Sequence, residues 1–210
     1  LDVNVLAAGK PFFRVAAVEH SPDHALLAYS TDESGSETHT VFVRDIATGK
    51  ILDKNVTGTD GGVEWANDSR TFYYCVLDDN HRPMQVWRHR LGTPQSDDVL
   101  VYEEKDSGWF THIHESSSGR FCVIAGGDHE TSERWLLDLS RPTEAPRLVA
   151  ARETGVRYGV HDRGDTLYIL TNQSDAIDFR IAVATSTSSG RHLIVNATCI
   201  PRRANSSDRK

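Results

Sequence analysis

Short apolar runs alternate with polar turns along the chain, and no segment shows the spacing of a long amphipathic helix. Four polar turns each precede an alternating run: SPDHALLAYS from Ser21, ANDSRTFYYC from Ala66, SSSGRFCVIA from Ser116 and HDRGDTLYIL from His161. Matching apolar positions in these runs are Leu27 and Tyr29, Phe72 and Tyr74, Cys122 and Ile124, and Leu167 and Ile169. The pattern predicts a β-strand that leaves an exposed turn, with turns at Pro22–Asp23, Asn67–Asp68, Ser117–Ser118 and Asp162–Arg163.

The four turns recur at offsets of 45, 50 and 45 residues, which indicates an internal repeat. Each unit closes with two more strand-like runs, the weakest being FRIAVATSTSSGRHLIVN in the fourth. Four short strands in each repeat of ~45 residues are typical of β-propeller blades, whereas a two-sheet sandwich, the alternative, does not repeat in units of four strands. We therefore predict an all-β chain of about four four-stranded antiparallel blades, at residues 13–56, 61–104, 109–152 and 156–196.

The third and fourth strands of the second unit carry a concentration of charge. His89 is predicted on one face of the third strand, and Arg88 and Arg90 on the other. Asp97 and Asp98 follow the turn, where we expect them to meet the arginines across the hairpin. This charge pattern favours a structural role over a ligand site.

Composition and charge exclude several classes of protein. A net charge of −7 argues against a nucleic-acid partner. No apolar run approaches the ~20 residues that span a membrane, and the start of the chain lacks the pattern of a signal peptide, so a cytoplasmic location is expected. Cys75, Cys122 and Cys199 lack metal-ligand spacing and are expected to be small buried hydrophobes in a reducing compartment.

The sequence offers no convincing catalytic set. No G-x-S-x-G pentapeptide occurs, so the nucleophile of an α/β-hydrolase is not recognisable. His112 and His114 share a strand face and are the best metal candidates, but no third ligand stands at a recognisable spacing. The acidic pairs, Asp78 with Asp79 and Asp97 with Asp98, are expected to be solvated loop acids. We predict no catalytic, cofactor-binding or metal-binding residue.

Several stretches resemble a known family more closely than generic propeller sequence does. SPDHALLAYSTDESGSETHTVFVRDIATGKIL, DDNHRPMQVWRHRLGT, DVLVYEE and RLVAARETGVRYGVHDRGDTLYILTN resemble the propeller of the oligopeptidase B group in the prolyl oligopeptidase family, over residues 1–184. The resemblance implies a seven-bladed propeller, here represented by about four blades, that covers the active site of an α/β-hydrolase domain. It also implies a serine peptidase that cleaves short peptides after Arg or Lys, with the propeller excluding large folded substrates.

The resemblance carries no catalytic residue into this chain, because the triad of the family belongs to the α/β-hydrolase domain. The chain alone is therefore expected to be inactive, with that domain as its partner in the same protein. A stand-alone propeller that acts as a protein-binding scaffold is the alternative function. Residues 185–210 diverge from the family pattern and are interpreted as a separate tail.

Blades at the two ends of a partial ring are expected to leave one face uncovered. Val41 and Val43 in the first blade, and Ile169 and Ile181 in the fourth, are the candidates for exposed apolar side chains. Such faces promote association, so self-association of the chain is expected.

Overall fold

The computed structural model describes residues 1–186 and the backbone of Thr198–Cys199. A short helix, α1 (Val3–Ala7), precedes the first sheet and is capped by the Asp2 side chain. Blade 1 comprises β1 (Arg14–His20), β2 (Leu26–Asp32), β3 (Thr40–Asp45) and β4 (Ile51–Asp53). Blade 2 comprises β5 (Glu64–Trp65), β6 (Thr71–Leu77), β7 (Pro83–Arg90) and β8 (Val99–Glu103), with a 3-10 turn (Gln95–Asp97) before β8.

The second half of the chain repeats this arrangement. Blade 3 comprises β9 (Phe110–Glu115), β10 (Phe121–Gly127), β11 (Ser132–Asp138) and β12 (Arg147–Ala150). Blade 4 comprises β13 (Tyr158–Arg163), β14 (Thr166–Thr171), β15 (Arg180–Thr185) and β16 (Thr198–Cys199). Each blade is a separate antiparallel sheet whose strands lie in chain order. The predicted architecture of four four-stranded antiparallel propeller blades is confirmed, and the sandwich alternative is wrong. The predicted blade boundaries stay a prediction; β16 lies beyond the end given for the fourth blade, residue 196. No helix in the described ranges has the length and apolarity that a membrane crossing requires.

The turn after the first strand of each blade repeats with the same period. His24, Ser69, Gly119 and Gly164 all have a positive φ, between 54° and 74°. Left-handed backbone at one repeat position makes the chain reverse in the same way in every blade. The first three predicted turns are confirmed, but the fourth is wrong: Asp162 and Arg163 are the last residues of β13, and the reversal falls at Gly164–Asp165.

The two middle blades bury both of their faces. In β6, Phe72 and Tyr74 pack toward blade 1, while Tyr73 and Cys75 pack toward blade 3. In β10, Cys122 and Ile124 face blade 2, and Phe121 and Val123 face blade 4. Strands buried on both faces are apolar at nearly every position, which explains the continuous runs FYYC and FCVI. Three apolar layers between successive blades therefore form the core.

The outer faces of the end blades are partly exposed, although three of the four predicted side chains are not on them. Val41 and Val43 pack against blade 2 and Ile169 packs against blade 3, so those predictions are wrong. Ile181 is 45 % exposed, as predicted, and neighbouring Leu170 is 47 % exposed. Period-two alternation separates the two faces of a strand but does not say which face meets a neighbour.

A buried ionic network joins blades 1 and 2. The His89 side chain is fully buried, with Nδ1 2.7 Å from Asp98 Oδ1 and Nε2 3.0 Å from Asp53 Oδ2. Asp98 therefore binds His89 rather than Arg88 or Arg90, and it is not a solvated loop acid, so both predictions for it are wrong. Arg88 instead donates to the Pro142 carbonyl at 2.7 Å. The network fixes the register of the two sheets.

Two carboxylates on one imidazole require that both ring nitrogens carry protons. Burial acts to lower the pKa of His89, but hydrogen bonds and charges from Asp53 and Asp98 outweigh it and raise this pKa. Burial also acts to raise the pKa of Asp53, but the hydrogen bonds from His89 and the Gly92 amide hold it below its ordinary value. The stabilisation from His89 is present below its unfolded pKa and is lost as the pH rises through its raised folded pKa.

We predict that His89→Ala lowers the free energy of unfolding by about 3 kcal/mol at pH 7, because two buried carboxylates lose their counterion. Urea unfolding at several pH values measures this change. The wild-type free energy should fall as the pH rises above the unfolded pKa of His89, about 6.5, and the variant should lose this dependence. His129→Ala, on an exposed turn, serves as the control and should change stability by less than about 0.5 kcal/mol. A loss below about 1 kcal/mol for His89→Ala would contradict the account.

Candidate functional site

The first strands of neighbouring blades lie side by side although they belong to different sheets. β1 contacts β5, and β5 contacts β9. The blades of a propeller surround a central channel, so edge strands that converge in this way border that channel. Charged side chains on these strands are the candidates for contact with a molecule in the channel.

Three glutamates from three blades come together on these strands: Glu19 in β1, Glu64 in β5 and Glu115 in β9. Burial raises the pKa of Glu64 to about 7, and the negative charges of Glu19 and Glu115 add to the effect. Burial likewise raises the pKa of Glu19, with His20 opposing the shift and Glu115 adding to it. We call these three residues the channel carboxylates; together they form a site that favours a cation.

The predicted histidine pair also lies on a channel strand. His112 and His114 occupy alternate positions of β9, and both are exposed. The pKa of His114 is lowered by the partial burial of its ring and by the positive charges of Arg134, His161 and His112. Within residues 1–186, no group of three or more His, Cys, Asp or Glu side chains is placed to hold a metal ion. Nothing in the geometry therefore turns the pair into a metal centre.

The other side chains considered from the sequence have local structural roles. Asp78 closes its own turn, accepting hydrogen bonds from the amides of Asn80 at 2.8 Å and Arg82 at 2.9 Å. Cys75 and Cys122 are buried as free thiols between blades 2 and 3, as predicted. Cys199 lies outside the residues whose side chains the structure describes.

The channel carboxylates were missed in the sequence, although a signal for two of them exists. Glu19 and Glu64 each stand two positions before the turn residue that defines the repeat, Ser21 and Ala66, and they are 45 residues apart. Glu115 stands one position before Ser116, so the strict repeat does not include it. A search for charges that recur with the blade period would have found the first two.

Comparison with known proteins agrees with this geometry. The family model described as "Prolyl oligopeptidase, N-terminal beta-propeller domain" matches residues 1–207. Over 183 residues, 86 % of this chain, 34 % are identical to "Protease 2" of Moraxella lacunata. Over 192 residues, 91 % of this chain, 35 % are identical to "Dipeptidyl aminopeptidase BI" of Pseudoxanthomonas mexicana. Among solved structures, oligopeptidase B from Leishmania major superposes with a TM-score of 0.84 at 34 % identity and covers 89 % of this chain.

These matches and the four blades define a propeller domain of a peptidase family. The chain belongs to the prolyl oligopeptidase family, of which it is part of the N-terminal β-propeller. The resemblance to oligopeptidase B seen in the sequence is confirmed. The chain spans about a quarter of its relatives, 26 % of each of the two curated proteins and 26 % of the Leishmania chain. The division at residue 184 stays a prediction, since the proposed tail lies almost wholly outside the described residues.

We predict that Glu64→Gln makes the protein more stable above pH 7 by about 1 kcal/mol or more, because a raised carboxyl pKa means that ionisation destabilises the fold. In the wild-type protein, ionisation of Glu64 lowers the free energy of unfolding. This loss is absent below the pKa of Glu64 in the unfolded chain and grows as the pH rises toward about 7, its pKa in the folded protein. Thermal unfolding at pH 4, below the unfolded pKa, and at pH 8 measures the difference, which should appear only at the higher pH. Glu130→Gln, on an exposed turn, is the matched control; an equal effect of the two substitutions would contradict the assignment.

Proposed function

We propose that this chain is the non-catalytic propeller part of a serine oligopeptidase that cleaves short peptides after Arg or Lys. The observation that carries the proposal is the match of residues 1–207 to the N-terminal propeller of the prolyl oligopeptidase family. The similarity to oligopeptidase B from Leishmania major favours this branch of the family. In this proposal the partner is an α/β-hydrolase domain of the same protein, which supplies the nucleophile and the groups that stabilise the transition state.

The electrostatics of the channel support a basic substrate. Glu19, Glu64 and Glu115 bring negative charge from three blades to the converging strands, in a chain of net charge −7. A guanidinium or ammonium group near Glu64 favours its ionised form and relieves the repulsion among the three carboxylates. Channels lined by one sign of charge also raise the local concentration of ligands of opposite sign. A short peptide rich in Arg or Lys fits these requirements.

The packing of the blades supports the proposed selection by size. The apolar layers between blades leave no route through the core, so a substrate reaches a covered active site only through the channel or past the edge of the propeller. Short flexible peptides pass through such an opening, whereas a folded domain does not. The propeller in this proposal excludes large substrates and positions small ones.

A chimeric enzyme tests both parts of the proposal. Residues 1–186 replace the matching quarter of oligopeptidase B from Leishmania major, and the product is assayed with short Arg and Lys peptides and with a folded protein. We expect turnover of the peptides and no cleavage of the folded protein. Digestion of the folded protein by a correctly folded chimera would refute the gating role.

The channel carboxylates are tested in the same chimera. A triple variant, Glu19→Gln, Glu64→Gln and Glu115→Gln, should raise KM for basic peptides by about fivefold with little change in kcat, as expected when about 1 kcal/mol of attraction is lost. The control triple variant carries Glu37→Gln, Glu130→Gln and Glu153→Gln at exposed positions, with the same change in net charge. Equal KM values for the two variants would show that the channel carboxylates do not attract the substrate.

A further inference from the structure

A cleft between blades 3 and 4 concentrates positive charge in an otherwise acidic chain. Its volume is about 610 Å³, and Phe110, Tyr158 and Phe179 contribute aromatic surface to it. Arg134 and Arg157 also line it, and among the described residues Asp128 is the only acidic one in its wall. Neither the family assignment nor the proposed catalysis uses this cleft.

Arg134 lacks a carboxylate partner among the described residues. Its Nη1 donates to the Gly126 carbonyl at 2.7 Å and to the Glu133 carbonyl at 2.8 Å, and its other guanidinium nitrogens form no hydrogen bond within residues 1–186. The guanidinium carbon lies 5.9 Å from the centre of the Tyr158 ring. Burial lowers the pKa of Arg134 from its ordinary value. A half-buried charge that is held only by carbonyls gains from an anion on its free side.

Arg157 provides a second guanidinium on the rim of the cleft. It is exposed and lies 5.2 Å from the centre of the Phe179 ring, without an ion pair in the described part of the chain. Asp128 forms no ion pair with either arginine within residues 1–186; its carboxylate accepts hydrogen bonds from the amides of Glu130 at 2.8 Å and Thr131 at 2.6 Å and keeps its negative charge. Two guanidinium groups against one carboxylate leave the described lining of the cleft with a net positive charge.

We propose that this cleft binds a carboxylate that is attached to an aromatic or large apolar group. The planar guanidinium of arginine matches a carboxylate through two parallel hydrogen bonds, and the aromatic walls pack against the attached group. Space for that group exists beside Gly159, where an added Cβ would meet no atom of the described residues within 4 Å. The proposal does not rest on the peptidase function, and two sources share this chemistry: the carboxyl terminus of a peptide and an acidic side chain.

The probes are N-acetylphenylalanine and N-acetylphenylalaninamide, which differ only in the carboxylate, added to the 210-residue chain and followed by chemical-shift titration. We expect the carboxylate to bind at least about tenfold more tightly than the amide, the effect of one charge-assisted hydrogen-bonded pair. Equal affinities, or no shift of cleft residues with either probe, would overturn the proposal.

Substitutions at positions other than Arg134 locate the site, because replacing the half-buried Arg134 would affect folding as well as binding. Arg157→Met should weaken carboxylate binding about fivefold and Arg157→Lys should restore part of it. Gly159→Leu should block binding by filling the space. Arg163→Met, on the same strand as Gly159 but outside the cleft, is the charge-matched control and should bind as the wild type does. Unfolding transitions verify that each variant is folded; equal binding by Arg157→Met and Arg163→Met would refute the assignment.

Two peptides distinguish the sources of the carboxylate. One has a free carboxyl-terminal phenylalanine and no acidic side chain, and the other has an amidated terminus with an internal glutamate beside phenylalanine. Binding of the first alone supports recognition of a peptide terminus, and binding of the second alone supports recognition of an acidic segment. Failure of both peptides, with N-acetylphenylalanine also unbound, would refute a carboxylate site.

Discussion

Burial of both faces of the middle blades is the constraint on which the rest of the structure depends. A β-sheet with two apolar faces is stable only between two neighbours, so blades 2 and 3 require blades on either side. Tyr73 and Tyr74, adjacent in β6, are both almost completely buried, each in a different layer of the core. The converging first strands, and the channel that they border, follow from this stacking.

Ionic bridges between neighbouring blades fix how the sheets align across the apolar layers. His89 holds carboxylates from blades 1 and 2, and Arg152 lies 2.7 Å from Glu104 and 3.1 Å from Glu133, linking blades 2 and 3. The Arg152 guanidinium also lies 3.7 Å from the centre of the Trp109 ring. Apolar surfaces tolerate sliding, whereas each of these bridges is satisfied in one position only. The blades therefore present Glu19, Glu64 and Glu115 to the channel in a fixed arrangement.

The repeat made much of the fold predictable, because the turn and the second strand of each blade have strong local signals. The side chains between blades were less predictable. Val41 was expected to be exposed because alternation does not show where the neighbouring blade lies. Asp98 was expected to meet the arginines across the hairpin. Its actual partner, His89, lies on the opposite face of the strand from Arg88, and the bridge also includes Asp53 from another blade, which the local sequence does not indicate. The channel carboxylates come from three sheets, and their proximity depends on the packing of whole blades.

Amide hydrogen exchange of the chain tests directly whether the blades form one stack. The account predicts that β6 and β10 exchange most slowly and at similar rates, because their sheets are covered on both faces, while β2 and β14 in the end blades exchange faster. Fastest exchange in β6 or β10, or four sheets that each exchange at an independent rate, would contradict the stacked arrangement.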